Sequence, residues 1–308
     1  MKQVVVGVIT YKRPSWLKRL VSELIKQNTD GIKCSILVVD NADDPATKSV
    51  VDSFCVPENA MPVTYKVEPV RGIVAARNRV VSEFLLLDAD FLAFIDDDEW
   101  PENDDWLKKL VTKALISETD VVTSHVVSVD ERLGKNWATE ILYPQNHRDE
   151  GQYLTTFYTN NLLLSRHLLE AMHPCFDERF AMTGASDYHF ALKCQFKGFK
   201  CIYTNAPVIE EFPDSRANIR WFCRRGFRSG IGYTRSHLFE EPIGKVLIKC
   251  SALSLVRFLR GGGLILKSLL TMNKATFVDG LFRICSSAGT IAGFFGIKHN
   301  EYQHTHGR

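Results

Sequence analysis

Phe91-Leu-Ala-Phe-Ile95, followed at once by Asp96-Asp97-Asp98-Glu99-Trp100-Pro101, decides how the rest of this chain is read. The apolar run is short enough to be a buried strand, and the carboxylates fall at its C-terminal end. Four adjacent acidic side chains repel one another unless something cationic sits among them. Were the chain to continue extended, Asp96 and Asp98 would point to the same side, so that two carboxylates converge on one divalent ion. Oxygen-only ligands suit Mn²⁺ or Mg²⁺, and Mg²⁺ commonly shares its sites with substrate phosphates. The plainer alternative is an acidic loop that stays solvated.

Upstream of this run the pattern repeats. Residues 4–10 read as a buried strand, Tyr11-Lys-Arg-Pro14 as a loop, and Ser15 as the N-cap of a helix through about Gln27. Cys34–Asp40 is a second strand, a helix follows from about Pro45 to Phe54, and a third strand lies around Val63–Val67. Glu68-Pro-Val-Arg-Gly72 is a loop and Ile73–Leu86 a helix. Continuous apolar strands alternating with helices mean a parallel sheet covered on both faces. Ligands bind outside the carboxyl ends of such strands. Thr10–Arg13, Asp40, Arg71/Gly72 and Asp96–Asp98 all lie there. No GxGxxG or Walker-type loop accompanies them, which excludes a dinucleotide fold and a P-loop NTPase.

Downstream, Asp120–Val129 is expected to be a fifth strand and Thr159–Leu164 another, leading into a helix at Arg166–Ala171. Phe176–Gly184 reads as a loop, and Ala185–Gly198 as a helix with Asp187 in its first turn. Asn218–Ser229 is a strongly basic helix carrying Arg220, Arg224, Arg225 and Arg228. Leu247–Leu259 and Leu264–Met272 are amphipathic and are expected to be split by Gly261-Gly-Gly263. His125, His173 and His189 have no ligand spacing, and His304 and His306 sit in a polar tail.

With 45% apolar and 24% charged residues, the 308-residue chain has an ordinary globular composition. Its net charge of +2 is unevenly spread: residues 213–308 hold 15 Lys/Arg against 5 Asp/Glu, a net of +10, which leaves the first 212 residues at −8. That asymmetry points to an anionic partner for the C-terminal region. Eight cysteines without a CxxC pair, and an N-terminus running straight into a strand, favour a cytoplasmic protein with reduced thiols. No stretch reaches the roughly 18 uncharged apolar residues of a spanning helix.

Five landmarks in this order resemble the family 2 glycosyltransferases, nucleotide-sugar-dependent inverting enzymes of the GT-A fold. They are Val8-Ile-Thr-Tyr-Lys-Arg-Pro14, Val38-Val-Asp-Asn41, Arg71-Gly72 with Ala76-Arg-Asn78, Phe94-Ile-Asp-Asp-Asp98, and Phe176-Asp-Glu-Arg-Phe180 leading to Thr183-Gly-Ala-Ser-Asp187. The likeness covers roughly residues 3–230 and is strongest to the branch that builds bacterial exopolysaccharides. It implies an α/β GT-A domain over 1–230, with a nucleotide-binding half (1–100) and an acceptor-side half (101–230). A helical extension over 231–308 would follow. The resemblance also implies roles. Thr10, Tyr11 and Arg13 would line the base-binding loop, and Asp40 would accept a hydrogen bond from uracil. Gly72 would let the chain pass close to the nucleotide, and Arg71, Arg77 and Asp97 would contact the nucleotide or its phosphates. Asp96 would sit by the ribose or metal, Asp98 would ligate the metal, and Asp187 would take a proton from the acceptor hydroxyl.

Two departures stand out. The family usually has a glutamate immediately before the base, where this chain has Ser186. The QxxRW motif of processive relatives is reduced to Arg220-Trp221 preceded by Ala217, which favours addition of a single sugar. The expected reaction is inverting transfer from a nucleotide sugar, a UDP-sugar, to a glycan or lipid-linked oligosaccharide acceptor. The basic, amphipathic segment 243–308 is expected to lie against an anionic membrane surface on the cytoplasmic side. Alternatives are a binding-competent but inactive subunit and a sugar-nucleotide nucleotidyltransferase. Nucleic acid is not an expected partner, because no recognised module accompanies the arginines.

Overall fold

The computed structural model describes residues 1–55, 61–142 and 148–297. His304 and His306, and the end of the 243–308 segment, lie outside the described residues. The first half alternates as β1 (Lys2–Thr10), α1 (Pro14–Ile25), β2 (Ile32–Asp40), α2 (Pro45–Asp52), β3 (Val63–Val67), α3 (Ile73–Leu85), β4 (Phe91–Ile95), β5 (Glu99–Pro101) and α4 (Trp106–Ile116). The middle comprises β6 (Val121–Thr123), β7 (Val126–Val129), α5 (Thr139–Leu142), β8 (Tyr153–Leu154), β9 (Asn161–Ser165), α6 (Arg166–Met172), α7 (Ser186–Phe196), β10 (Cys201–Tyr203) and β11 (Val208–Glu211). Three helices close the described chain: α8 (Ile219–Glu240), α9 (Ile243–Thr271) and α10 (Lys274–Ala292).

The main sheet has the order β3-β2-β1-β4-β9-β6-β10-β8. β3, β2, β1 and β4 are parallel neighbours. β9 then inserts antiparallel between β4 and β6. Register places Thr10 level with Asp40, so the loops after β1, β2 and β4 leave the same edge. Alternate residues of β1 feed two buried layers. Val4, Val6 and Val8 meet Leu17, Leu20 and Leu24 of α1 on one face. Val5 meets Val80, Val81 and Phe84 of α3 on the other. The mostly parallel sheet covered on both sides is the expected α/β architecture.

Several expectations give way to tertiary packing. Helix α1 starts at Pro14 with no side-chain cap, so Ser15 lies inside the first turn instead of capping it. The single strand expected over Asp120–Val129 is two strands in different sheets, because β7 pairs with β11 in a three-stranded sheet completed by β5. Asn161 stabilises that break: its Nδ2 donates to the carbonyls of His125 (3.1 Å) and Ala206 (2.9 Å), and its Oδ1 accepts from Trp106 Nε1 (3.0 Å). The boundary expected near residue 230 falls within the continuous helix α8. Phe222 of α8 and Val278 of α10 share a small core with Ala138 and Phe212, which ties these helices to the sheet domain.

The expected break at Gly261-Gly-Gly263 is absent, since α9 runs 29 residues without interruption. Gly261 faces α10 at such close range that a Cβ would stand 2.8 Å from the Gly280 carbonyl oxygen. The glycine there permits contact between helices.

Candidate active site

The carboxyl edge of the sheet opens into a cleft of about 1400 Å³. On its donor-facing wall the chain leaves β4 and turns, with the Glu99 N–H returning to the Asp96 carbonyl at 3.1 Å. The backbone therefore does not stay extended through the aspartates, yet Asp96, Asp97 and Asp98 all line the cleft. Asp97 is held from both sides: Thr10 Oγ1 donates to Oδ2 at 2.8 Å and Arg13 Nη1 to Oδ1 at 2.9 Å. The same guanidinium reaches Asp98 Oδ2 at 3.4 Å. Arg13 is thus the cation among the aspartates, and the solvated-loop alternative is set aside by the burial of Asp97 and Asp98.

Burial pushes the Asp96 carboxyl up to about 7, against the pull of Arg77 and with the repulsion of Asp98, Asp97 and Asp187. Burial likewise raises Asp97, opposed by Arg13. Glu210 of β11, which sequence reading passed over, completes the wall. Burial and the nearby Asp98 lift its carboxyl to about 8, and its Oε2 has no hydrogen-bond partner among the described residues. Glu99 is raised well above its ordinary range by burial beside Asp96. So many buried carboxylates with one orphaned oxygen suit a hard divalent cation. Among the described residues no three His, Cys, Asp or Glu side chains converge as ligands. Asp96 and Asp98 are the carboxylates of the turn that could hold such an ion.

Tyr11 and Arg71 face one another across the cleft mouth, the guanidinium 5.3 Å from the ring centre. Asn41 fixes the Arg71 loop by donating to the carbonyls of Glu68 (2.8 Å) and Val70 (2.7 Å) and accepting from the Gly72 N–H (2.8 Å). Gly72 adopts φ 139°, open to glycine, and a Cβ there would meet the Ala181 carbonyl at 3.3 Å. Asp40 is the one site candidate that stays out of the cleft. It is fully buried, and its carboxylate accepts from the N–H groups of Ala42 and Asp44 and from the Tyr65 hydroxyl, each at 2.8 Å. It shapes the loop after β2.

Arg77 projects from α3 beneath the cleft, only 5% exposed, and donates from Nη1 to Ser186 Oγ at 3.2 Å. Asp187 follows Ser186 in the first turn of α7, where its Oδ1 accepts the Tyr188 N–H at 2.8 Å. It lines the cleft and acts electrostatically on Asp96. A left-handed residue, Ala185 (φ 67°), sets up this turn against Gly232 of α8.

The opposite wall was largely illegible in the sequence. It comprises His125, whose Nδ1 bonds the Tyr203 hydroxyl at 2.8 Å, together with Tyr158, Tyr188, Tyr233, Arg225 and Arg257. Arg225 was visible only as one of several helix charges, and Arg257 only as a break in an apolar pattern. Both come from helices that follow the motif-bearing region.

The cleft lies at the carboxyl edge of the sheet, where α/β folds bind their ligands, and it is lined by an aspartate turn and by an aspartate at a helix start. The sequence profile described as Glycosyl transferase family 2 matches residues 5–173, and the chain belongs to that family. It is similar to the succinoglycan biosynthesis protein ExoM of Rhizobium meliloti (strain 1021), with 28% identity over 235 residues, 75% of this chain and 74% of that protein. The putative glycosyltransferase EpsH of Bacillus subtilis (strain 168) is 22% identical over 247 residues, 78% and 69% of the two chains. In fold it resembles the mannosyltransferase PcManGT from Pyrobaculum calidifontis in complex with GDP-Man and Mn²⁺, with TM-score 0.64, 16% identity, and 95% and 87% of the chains covered. It also resembles S. aureus TarS 1-349 in complex with UDP, with TM-score 0.52, 15% identity, and 95% and 92% covered. The chain is a family 2 glycosyltransferase of GT-A fold. The nucleotidyltransferase alternative is set aside.

Proposed function

We propose that this chain moves one sugar, with inversion, from a UDP-sugar to a hydroxyl of a glycan or lipid-linked oligosaccharide during surface-polysaccharide synthesis. The observation that carries the reading is the sharing of one cleft by the Asp96–Asp98 turn and Asp187. Tyr11 and Arg71 would flank the nucleotide base, with Asp40 shaping the loop after β2 behind them. A divalent ion, Mn²⁺ or Mg²⁺, held by Asp96 and Asp98 would stabilise charge on the departing diphosphate. Arg13 fixes Asp97, and Arg77 steadies the buried charge of Asp96. Asp187 accepts the proton of the acceptor hydroxyl as that oxygen bonds to the anomeric carbon and the bond to the diphosphate breaks. A single displacement from the face opposite the leaving group inverts the centre. TarS bound to UDP supports the uridine donor by likeness of fold, as ExoM supports the pathway class by similarity of sequence.

The chain is further proposed to work against an anionic bilayer, and α9 carries this reading. After Val246 its buried positions are small or polar: Cys250, Ser254, Gly261 and Ser268. Its outward positions are large and apolar, including Ile248, Leu255, Leu259, Leu266 and Leu270. The helix has five Lys/Arg and no Asp or Glu. An inside-out helix of this charge suits a surface that is apolar beneath and negative above. No described helix is long and apolar enough to cross a membrane.

Calorimetric titration with UDP, in Mn²⁺ and then in chelator, tests the donor site. Metal-dependent binding lost in Asp98→Ala is expected; binding indifferent to both would sink the reading. An enzyme that binds UDP but transfers nothing to membrane-extracted acceptors would instead favour an inactive subunit, for which the Ser186 departure is the motive.

A further inference from the structure

We propose that Arg257, with Tyr158, Tyr188 and Tyr233 around it, is an acceptor subsite for a phosphate or diphosphate group carried by the molecule that receives the sugar. The proposal rests on the reading of the cleft as a glycosyltransferase site with Asp187 as base.

Arg257 of α9 faces inward and lines the same cleft as Asp187. Its Nη1 donates to Thr290 Oγ1 at 2.7 Å, and its guanidinium lies 5.2 Å from the Tyr233 ring centre. Among the described residues it makes no ion pair. The groups that act on it are Tyr233, Tyr188, Cys250 and Tyr158, all neutral at pH 7, and burial lowers its pKa from the ordinary arginine value. A partly desolvated cation beside Thr290, Cys250 and these phenols, all of them neutral, has an unmet demand for negative charge. Two other cleft arginines differ in this respect. Arg13 is paired with Asp97 and Asp98. Arg216 feels Asp98 and Glu210.

The unmet charge is not explained by the donor. Arg257 comes from α9, an element apart from the β4 turn proposed to hold the donor diphosphate. On the Tyr158 hydroxyl, by contrast, Asp187, Arg225, Arg148 and Arg257 all act together. Three guanidinium groups near one phenol exceed what a single carboxylate would neutralise, and a phosphate or diphosphate meets them better. Tyrosine faces beside them suit a sugar ring. The source is either the head of a lipid-linked acceptor, whose chain could follow the apolar face of α9, or a soluble phosphate-bearing glycan.

The test uses the full chain in Mg²⁺ and saturating UDP, titrated with farnesyl phosphate and with phenyl phosphate. Wild type is expected to bind, and Arg257→Gln to weaken binding by about tenfold or more, while Arg257→Lys keeps part of it. Thr290→Val removes the same hydrogen bond but keeps the charge, so its phosphate affinity should stay within about threefold of wild type. UDP affinity should be unchanged throughout. Stronger binding of farnesyl phosphate identifies a lipid-linked source, and equal binding a soluble one; both support the subsite. Absence of binding, or equal affinity in wild type and Arg257→Gln, overturns it. If UDP itself fails to bind while farnesyl phosphate binds through Arg257, the donor reading falls and the subsite stands.

Discussion

Arg77 donates to Ser186 at 3.2 Å, so the residue just before the proposed base is held by the same guanidinium that opposes the upward shift of Asp96. A serine stands where the family pattern resembles a glutamate site, and the guanidinium charge is consequently shared with Asp96 instead of being neutralised locally. Arg77→Gln should let the Asp96 carboxyl rise further and weaken metal-dependent UDP binding at pH 7 by about tenfold or more. Ser186→Ala removes one neutral partner and should change affinity by less than about threefold. Calorimetry on both variants checks the asymmetry; equal losses would show that the contact merely holds α3 against α7.

Asp187→Asn keeps the shape of the first turn of α7 and removes the proton acceptor. Turnover should fall by roughly 10²–10⁴-fold, the usual contribution of a positioned base. UDP affinity should not fall, because the charge removed is one that repels Asp96 and not one proposed to hold the donor. A rate assay paired with a UDP titration separates the two, and a variant that loses both would place Asp187 in the donor site instead.

The donor side was legible because its information is local. Apolar strands ending in Thr10, Asp40 and Ile95-Asp96 declare both the parallel sheet and the edge where ligands gather. Asp40 shows the limit of that reasoning: position at the edge was readable, but the N–H groups of Ala42 and Asp44 claiming its carboxylate were not. The acceptor side depends on contacts distant in sequence. β9 had to insert between β4 and β6, and α8 and α9 had to fold back, before Tyr158, Arg225 and Arg257 could line one cleft with Asp187. Gly261-Gly-Gly263 misled for a related reason, since helix propensity speaks against what contact with α10 requires.

The contact between α8 and α10 makes a sharper prediction. A Cβ on Gly289 would stand 1.9 Å from the Phe227 carbonyl oxygen, and one on Gly230 2.2 Å from that of Ser286. Gly289→Ala must push the helices apart, at an overpacking cost of about 1–3 kcal/mol. Gly262→Ala and Gly263→Ala meet nothing within 4 Å and should instead stabilise α9 by roughly 0.5–1 kcal/mol each. Thermal unfolding of the three variants should move in opposite directions; a common sign would contradict this packing.

Leu255, Leu259 and Leu266 face away from the protein on α9 and are 58%, 62% and 66% exposed. Replacing all three with serine should leave the fold and UDP affinity intact and abolish flotation with liposomes containing anionic lipid. Neutral liposomes should bind wild type weakly, and added salt should release it, because the lysines and arginines contribute through a screened field. Retention of the triple variant on anionic liposomes would remove α9 as the membrane face.

Glu241, between α8 and α9, accepts from Lys249 at 2.8 Å, from Lys245 at 3.0 Å and from His237 Nδ1. Burial by itself would raise its carboxyl, but these donors outweigh it and hold the group at about 2, against an ordinary value of 4.5. Burial lowers His237, so a neutral imidazole gives its Nδ1 proton to Glu241 and accepts the Tyr188 hydroxyl at Nε2, 3.0 Å away. A carboxyl depressed in the folded state contributes stability that is full above its unfolded value and lost as pH falls through the folded one. The contribution of Glu241 should therefore be complete above pH 4.5 and fade toward pH 2. Glu241→Gln should cost on the order of 2–3 kcal/mol at pH 7 and almost nothing at the acid end. Urea unfolding of both proteins across that window checks it. Parallel curves would mean that the lysines find other partners, whereas converging ones would make Glu241 the clasp that sets α9, and with it Arg257, against the cleft.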